Sequence, residues 1–118
     1  MRRLWVLISN KQKSNNMNNR FEELKKNVLN WAEEKGIFEK GTPIAQAGKT
    51  LEEATEILVG IAKNDKEEII DSLGDTLVTI IIQAEMQGVD LLDCLEVAYH
   101  VIAKRKGVMI GGEFVRDK

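Results

Sequence analysis

Apolar residues recur along most of this chain at three- and four-residue steps, the period of a helix with one buried face. Phe21, Leu24, Val28 and Trp31 form the first such stripe, which predicts a helix from about Asn19 to Lys35 with Gly36 as its stop. A second stripe, Leu51, Ala54, Leu58 and Ile61, is the expected core face of a helix with Thr42 as N-cap and Pro43 in the first helical position. The third helix is expected to begin after Asp65, with Glu68 three residues on completing a capping box, and to end near Gly88. Ile70, Leu73, Leu77, Ile80 and Ile81 cover one side of it, and Val78 and Ile82 carry the apolar character round the other. That second half reads as a buried helix. A fourth helix, from Asp90 to Gly107, is expected to turn Leu92, Leu95, Tyr99 and Ile102 inward.

The two ends break this pattern. "VMIGGEFV" reads as two short strands around a Gly111–Gly112 turn, a hairpin over residues 108–116. Residues 1–19 include the polar run "NKQKSNNMNN" and read as a lead-in, with Met17 as a second possible start. The expected fold class is therefore all-α: a four-helix bundle-like domain over 20–118 with a short C-terminal β-hairpin.

Composition narrows the class further. At 118 residues, 43% hydrophobic and 31% charged, the chain has the make-up of a single globular domain. Its net charge of −2 is unevenly spread, since residues 1–20 carry five basic side chains and no acidic one, leaving a strongly acidic remainder. Such a body argues against nucleic acid as the main ligand. Cys94 stands alone, which removes any intramolecular disulfide and suits a reducing cytosol. The run "LWVLI" is too short to span a membrane, so a cytoplasmic location with no membrane partner is expected.

The acidic positions carry the candidate chemistry. In "KTLEEATEI" Glu52, Glu53 and Glu56 fall within about 100° of one another on the second helix, opposite its leucine stripe. Taken alone this is an ordinary solvated face, and such like charges weaken an isolated helix. The third helix repeats the pattern with Glu68, Asp71 and Asp75, and Asp75 falls one turn from positions that expect no water. A carboxylate there must be paired, protonated or bound to a cation. Between residues 50 and 82 the basic partners are Lys63 and Lys66, both at the helix junction. A divalent cation between two antiparallel helices resolves the conflict, and oxygen-only donors point to Mg²⁺, with Mn²⁺ as the other option. Mg²⁺ commonly shares its shell with phosphates, which makes a phosphoanhydride the natural substrate class.

Gln46, Lys49, "LEEATE" and "DSLGD", with "NWAEEKGI" before them and "RKGVMIGGEFV" after, resemble the MazG-like all-α nucleoside triphosphate pyrophosphohydrolases of the small phage-type branch. The resemblance covers about residues 21–116. It implies hydrolysis of an NTP or dNTP between the α and β phosphates. It also implies metal ligation by Glu53, Glu56 and Asp75, proton removal from water by Glu52, and a homodimer or homotetramer in the cytoplasm (the host's, for a phage-encoded chain). Ser72 stands where the family pattern has a glutamate, and Asp71 is the residue expected to compensate. The resemblance further assigns Arg105 and Lys106 to phosphate contacts, beside a purely helix-terminal role for the Lys104–Lys106 cluster. Lys49 either balances Glu53 or meets phosphate, and Gln46 one turn earlier could line the same cleft. Trp31 reads as core, Phe38 as a freer base contact, His100 as surface, and Cys94 as packed against the third helix. Two alternatives accompany this expectation: a narrow dUTP or dCTP hydrolase of the same superfamily, and a non-catalytic helical oligomer that binds nucleotide or metal, which the Ser72 departure favours.

Overall fold

The structure is a computed structural model and describes residues 17–118. Most of the expected lead-in, Trp5 included, lies outside the described residues. The chain divides into two compact units, one ending at Gly88 and the other spanning Val89–Lys118.

In the first unit, α1 spans Met17–Glu34 and stops where Gly36 takes a left-handed φ of 79°. A four-residue helix follows, α2 (Ile37–Lys40), which the apolar pattern does not predict because one turn is too short to display a period. α3 (Pro43–Ala62) starts as expected, with the Thr42 hydroxyl accepting from the Ala45 N–H at 3.2 Å. α4 (Lys66–Gln87) is capped by Asp65, whose carboxylate accepts from the Glu68 N–H at 3.2 Å, and it ends at Gly88 with φ 68°.

α3 and α4 form an antiparallel pair, the main contact of the unit, and α1 also packs on α4. Three points fix their alignment. At the turn end, a Cβ on Gly60 would stand 3.0 Å from Ile69 Cγ1. Further along, Gln46 Nε2 donates to the Thr79 carbonyl at 3.3 Å, and at the far end Gln83 Nε2 donates to the Pro43 carbonyl at 2.9 Å.

The face of α3 turned to this contact is not the leucine stripe. Gln46, Thr50, Glu53 and Ile57 are half-buried and Gly60 is buried, a run at steps of three and four. Leu51 and Leu58 are 71% and 69% exposed, and Ile61 is also exposed. On α4 the inversion is partial, since its second half is buried as expected and Ile70 and Ile80 are half-buried. Ser72 and Thr79 are buried, together with Ile81, Ile82 and Ala84, whereas Leu73 and Leu77 are exposed. The inner seam mixes small, polar and isoleucine side chains, and the leucine stripes lie outside. Periodicity says that a stripe is to be covered, not by what. On α1 likewise, Ala32 is the fully buried residue, while Leu24 and Trp31 are exposed.

The second unit holds α5 (Leu91–Ile102) and a hairpin of β1 (Gly107–Ile110) and β2 (Glu113–Arg116). Asp90 caps α5 by accepting from the N–H groups of Leu92 and Asp93, at 2.7 and 3.2 Å. The helix stops at Ile102, short of the expected Gly107, because Gly107 is already paired with Arg116 as the first residue of β1. The hairpin itself is as expected: Gly111 and Gly112 both take positive φ, 60° and 85°, the backbone of a type I′ turn. Leu92, Leu95, Tyr99 and Ile102, expected to point inward, are exposed, and so is Cys94. No helix among the described residues is long and apolar enough to cross a membrane.

Candidate functional site

The Gln46–Thr79 bond sets the level of every side chain along the α3–α4 seam. Glu53 lies seven residues beyond Gln46 on α3, and Ser72 seven residues before Thr79 on α4, so two turns on each helix bring Glu53 level with Ser72. Asp75 follows Ser72 by one turn. Glu53 and Asp75 together line a cleft of about 580 Å³, which also takes in Gln46, Lys49 and Thr79. Two helices thus bring one carboxylate each to a common space, with the Gln46 amide anchored beside them.

The remaining acidic candidates lie elsewhere. Glu52, Glu56 and Asp71 are exposed and outside the lining of that cleft. Glu52 meets Lys49 Nζ at 3.4 Å, and Glu53 Oε1 is 4.0 Å from the same nitrogen. Lys49 therefore turns first to Glu52 rather than to Glu53, in a pair whose exposure keeps its energetic worth small. Among the described residues no group of three Asp, Glu, His or Cys side chains is drawn together closely enough to hold a metal ion.

Asp75 lies one turn from dry positions as expected, since Ser72 and Thr79 to either side of it are buried, but its own side chain is exposed. Burial therefore does not force a cation onto Asp75. A cation there would be held for its ligand. Beside Asp75, a Cβ placed on Gly74 would meet nothing within 4 Å, so among the described residues this side of the helix is open.

Ser72 is 4% exposed and faces the seam level with Glu53. Its backbone carbonyl accepts from the Thr76 hydroxyl at 2.7 Å. A longer acidic side chain at this position would reach into the same space as Glu53.

Some contributors to the cleft give no sequence signal. Trp31, read as core, is 47% exposed and lines this cleft as well as an adjoining one of about 350 Å³ that also reaches Asp75. Lys35 and Lys40 line it as well, flanking the turn at Gly36 and α2. Phe38 lines a different cavity, about 1030 Å³ in volume, in which none of the candidate residues takes part. Arg105 and Lys106 belong to the second unit. There they line an open cavity of about 720 Å³ with Lys104, Arg116, Asp117 and Lys118, and the Asp117 N–H donates to the Lys106 carbonyl at 2.8 Å.

Residues 42–108, more than half of the chain, match the family model of the MazG nucleotide pyrophosphohydrolase domain. The chain belongs to the MazG family. The matched stretch begins at the Thr42 cap and contains all of α3, α4 and α5, so both helices of the carboxylate cleft fall inside it. This MazG chain is also similar to an uncharacterized 18.2 kDa protein from the rep-hol intergenic region of Haemophilus phage HP1, with 39% identity over 69 residues. That alignment covers 58% of this chain and 42% of the phage protein, so the chain spans less than half of its relative's length. No solved structure gives a significant match.

Proposed function

We propose that this MazG family chain hydrolyses nucleoside triphosphates, ribo or deoxy, between the α and β phosphates, releasing the nucleoside monophosphate and pyrophosphate. The observation that carries the proposal is the placement of Glu53 and Asp75, from two helices, on one cleft with Gln46 and Lys49. In this reading the oxygen of a water bonds to phosphorus as the bridging P–O bond breaks, and Glu52 takes the proton that the water gives up. Its side chain is 63% exposed and reachable by solvent.

The donor chemistry fits a hard divalent cation, Mg²⁺ or Mn²⁺. Every acidic donor near the cleft is a carboxylate, and the chain's one histidine and one cysteine lie in the other unit. Glu53 and Asp75, with Glu56 and Asp71 turning toward them, are the residues that would hold it. Such an ion, when bound, neutralises phosphate charge and acidifies a water in its shell.

The exposed apolar stripes fit a second copy of the chain. On α3, Ile44, Ala47, Leu51, Ala54, Leu58 and Ile61 fall at alternating three- and four-residue steps, the seam of a coiled coil, and the four large ones are exposed. A homodimer, or a pair of dimers, would cover them.

A second reading has its own support in Ser72. With a hydroxyl in the buried seam position where the family pattern has glutamate, the cleft would bind a nucleotide without turnover. A panel of nucleotides, dUTP and dCTP included, incubated with Mg²⁺ and assayed for pyrophosphate separates the two. Release that is lost in Glu53→Gln and Asp75→Asn proteins with unchanged circular dichroism supports hydrolysis. Binding without release from any nucleotide supports the second reading.

A further inference from the structure

The cleft that holds Glu53 and Asp75 carries more positive than negative charge. Three lysines, Lys35, Lys40 and Lys49, lie on it against those two carboxylates. Lys49 is occupied by Glu52 and, at the limit, by Glu53. Among the described residues, Lys35 and Lys40 have no carboxylate within ion-pair distance.

Their position is not incidental to the chain's path. Gly36, in the left-handed region, ends α1 immediately after Lys35, and one turn of helix then carries the chain to Lys40. The Lys40 N–H donates to the Gly36 carbonyl at 2.9 Å, which closes this turn on itself. Lys35 and Lys40 thus come to the cleft from the two ends of one short, hydrogen-bonded turn. This corner lies outside residues 42–108, so nothing in the matched family stretch accounts for it.

We infer that Lys35 and Lys40 bind the phosphate tail of the nucleotide, supplying from the first unit the cationic contacts on the cleft that also holds the carboxylates. The inference rests on the hydrolase reading for the identity of the ligand, but its chemistry needs only an anionic oligophosphate. Two unpaired ammonium groups on a concave wall attract such a ligand over several ångströms and then donate to its oxygens. Arg105 and Lys106, in the second unit, are the competing source of these contacts.

The test measures binding without turnover. Titration calorimetry on the full chain, with EDTA present to prevent hydrolysis, uses inorganic tripolyphosphate, a nucleoside triphosphate and the corresponding nucleoside as three separate probes. Lys35→Gln and Lys40→Gln are each expected to weaken tripolyphosphate and triphosphate binding about five- to tenfold. Nucleoside binding should stay as in the parent chain, and added salt should cost the variants less affinity than the parent. Lys66→Gln, at the start of α4 and off the cleft, should leave all three affinities unchanged. Parent-like tripolyphosphate binding by both cleft variants overturns the inference. So does complete loss of that binding in Arg105→Gln or Lys106→Gln alone, or no tripolyphosphate binding by the parent chain. A chain that releases no pyrophosphate but loses tripolyphosphate affinity in both variants removes the hydrolase reading and leaves the lysine assignment standing.

Discussion

Gln46 on α3 donates its side-chain N–H to the backbone carbonyl of Thr79 on α4 at 3.3 Å, a polar contact across a seam of half-buried and buried residues. Because it joins side chain to backbone, it helps set the level of one helix against the other, together with the Gly60–Ile69 approach and the Gln83–Pro43 bond. It also holds the Gln46 amide on the cleft shared by Glu53 and Asp75.

Replacing Gln46 by Ala should therefore cost stability before it costs chemistry. Loss of one neutral hydrogen bond in a part-buried position is worth about 1 kcal/mol. Urea unfolding should show that loss as a lower midpoint with an unchanged slope. A drop in slope would mean instead that the seam had loosened and the folded state had become less compact.

Gly60 on α3 and Gly74 on α4 predict opposite outcomes. A Cβ on Gly60 would lie 3.0 Å from Ile69 Cγ1 and 3.2 Å from the Ile69 nitrogen, across the α3–α4 contact. Gly60→Ala should destabilise by roughly 1–3 kcal/mol, the usual cost of overpacking. Gly74 has nothing within 4 Å of its would-be Cβ and sits in mid-helix. Gly74→Ala should stabilise by about 0.5–1 kcal/mol, through helix propensity and a less free unfolded chain. Thermal unfolding of the two variants checks both signs. If Gly74→Ala raises the melting temperature yet abolishes triphosphate binding, the open space beside Gly74 belongs to the ligand.

The caps explain why so much of the fold could be read from sequence. Thr42, Asp65 and Asp90 each precede a helix and each accept a backbone N–H at its first turn, so the starts of α3, α4 and α5 are written locally. Gly111 and Gly112 write the hairpin in the same way. Facing is different, because it depends on what lies across the contact. The stripe Leu51–Leu58–Ile61 is as regular as any in the chain, but the seam is filled by Gln46, Thr50, Glu53 and Gly60. Half of the site was legible for the same reason. Glu53 and Asp75 carry a recognisable spacing, whereas Trp31 lines the cleft from α1, which packs on α4, and Lys35 and Lys40 flank the turn at Gly36.

Asp65→Ala removes the acceptor for the Glu68 N–H at the head of α4. The expected cost is about 1 kcal/mol. Amide exchange should locate it, with the first turn of α4 losing protection before the Ile81–Ala84 segment does. Equal loss of protection along the whole helix would mean that the cap is coupled to the core.

The exposed stripe on α3 gives the sharpest difference between a lone chain and an assembled one. In a single chain Leu51 and Leu58 are mostly in water, and changing both to Lys should alter stability little. Against a second copy, each leucine is worth about 1.5–3 kcal/mol when fully covered. Each lysine would instead bring an unpaired charge into the interface, which costs several kcal/mol. The parent chain should therefore run in light scattering at a multiple of 13.3 kDa, and Leu51→Lys/Leu58→Lys at 13.3 kDa with its helical content retained. A milder Leu51→Ala change should leave the mass unchanged at high concentration and lower it on dilution, since it removes apolar contact without adding charge. A parent chain of 13.3 kDa at all concentrations would sink the assembly reading, and the outward leucines would then need another partner.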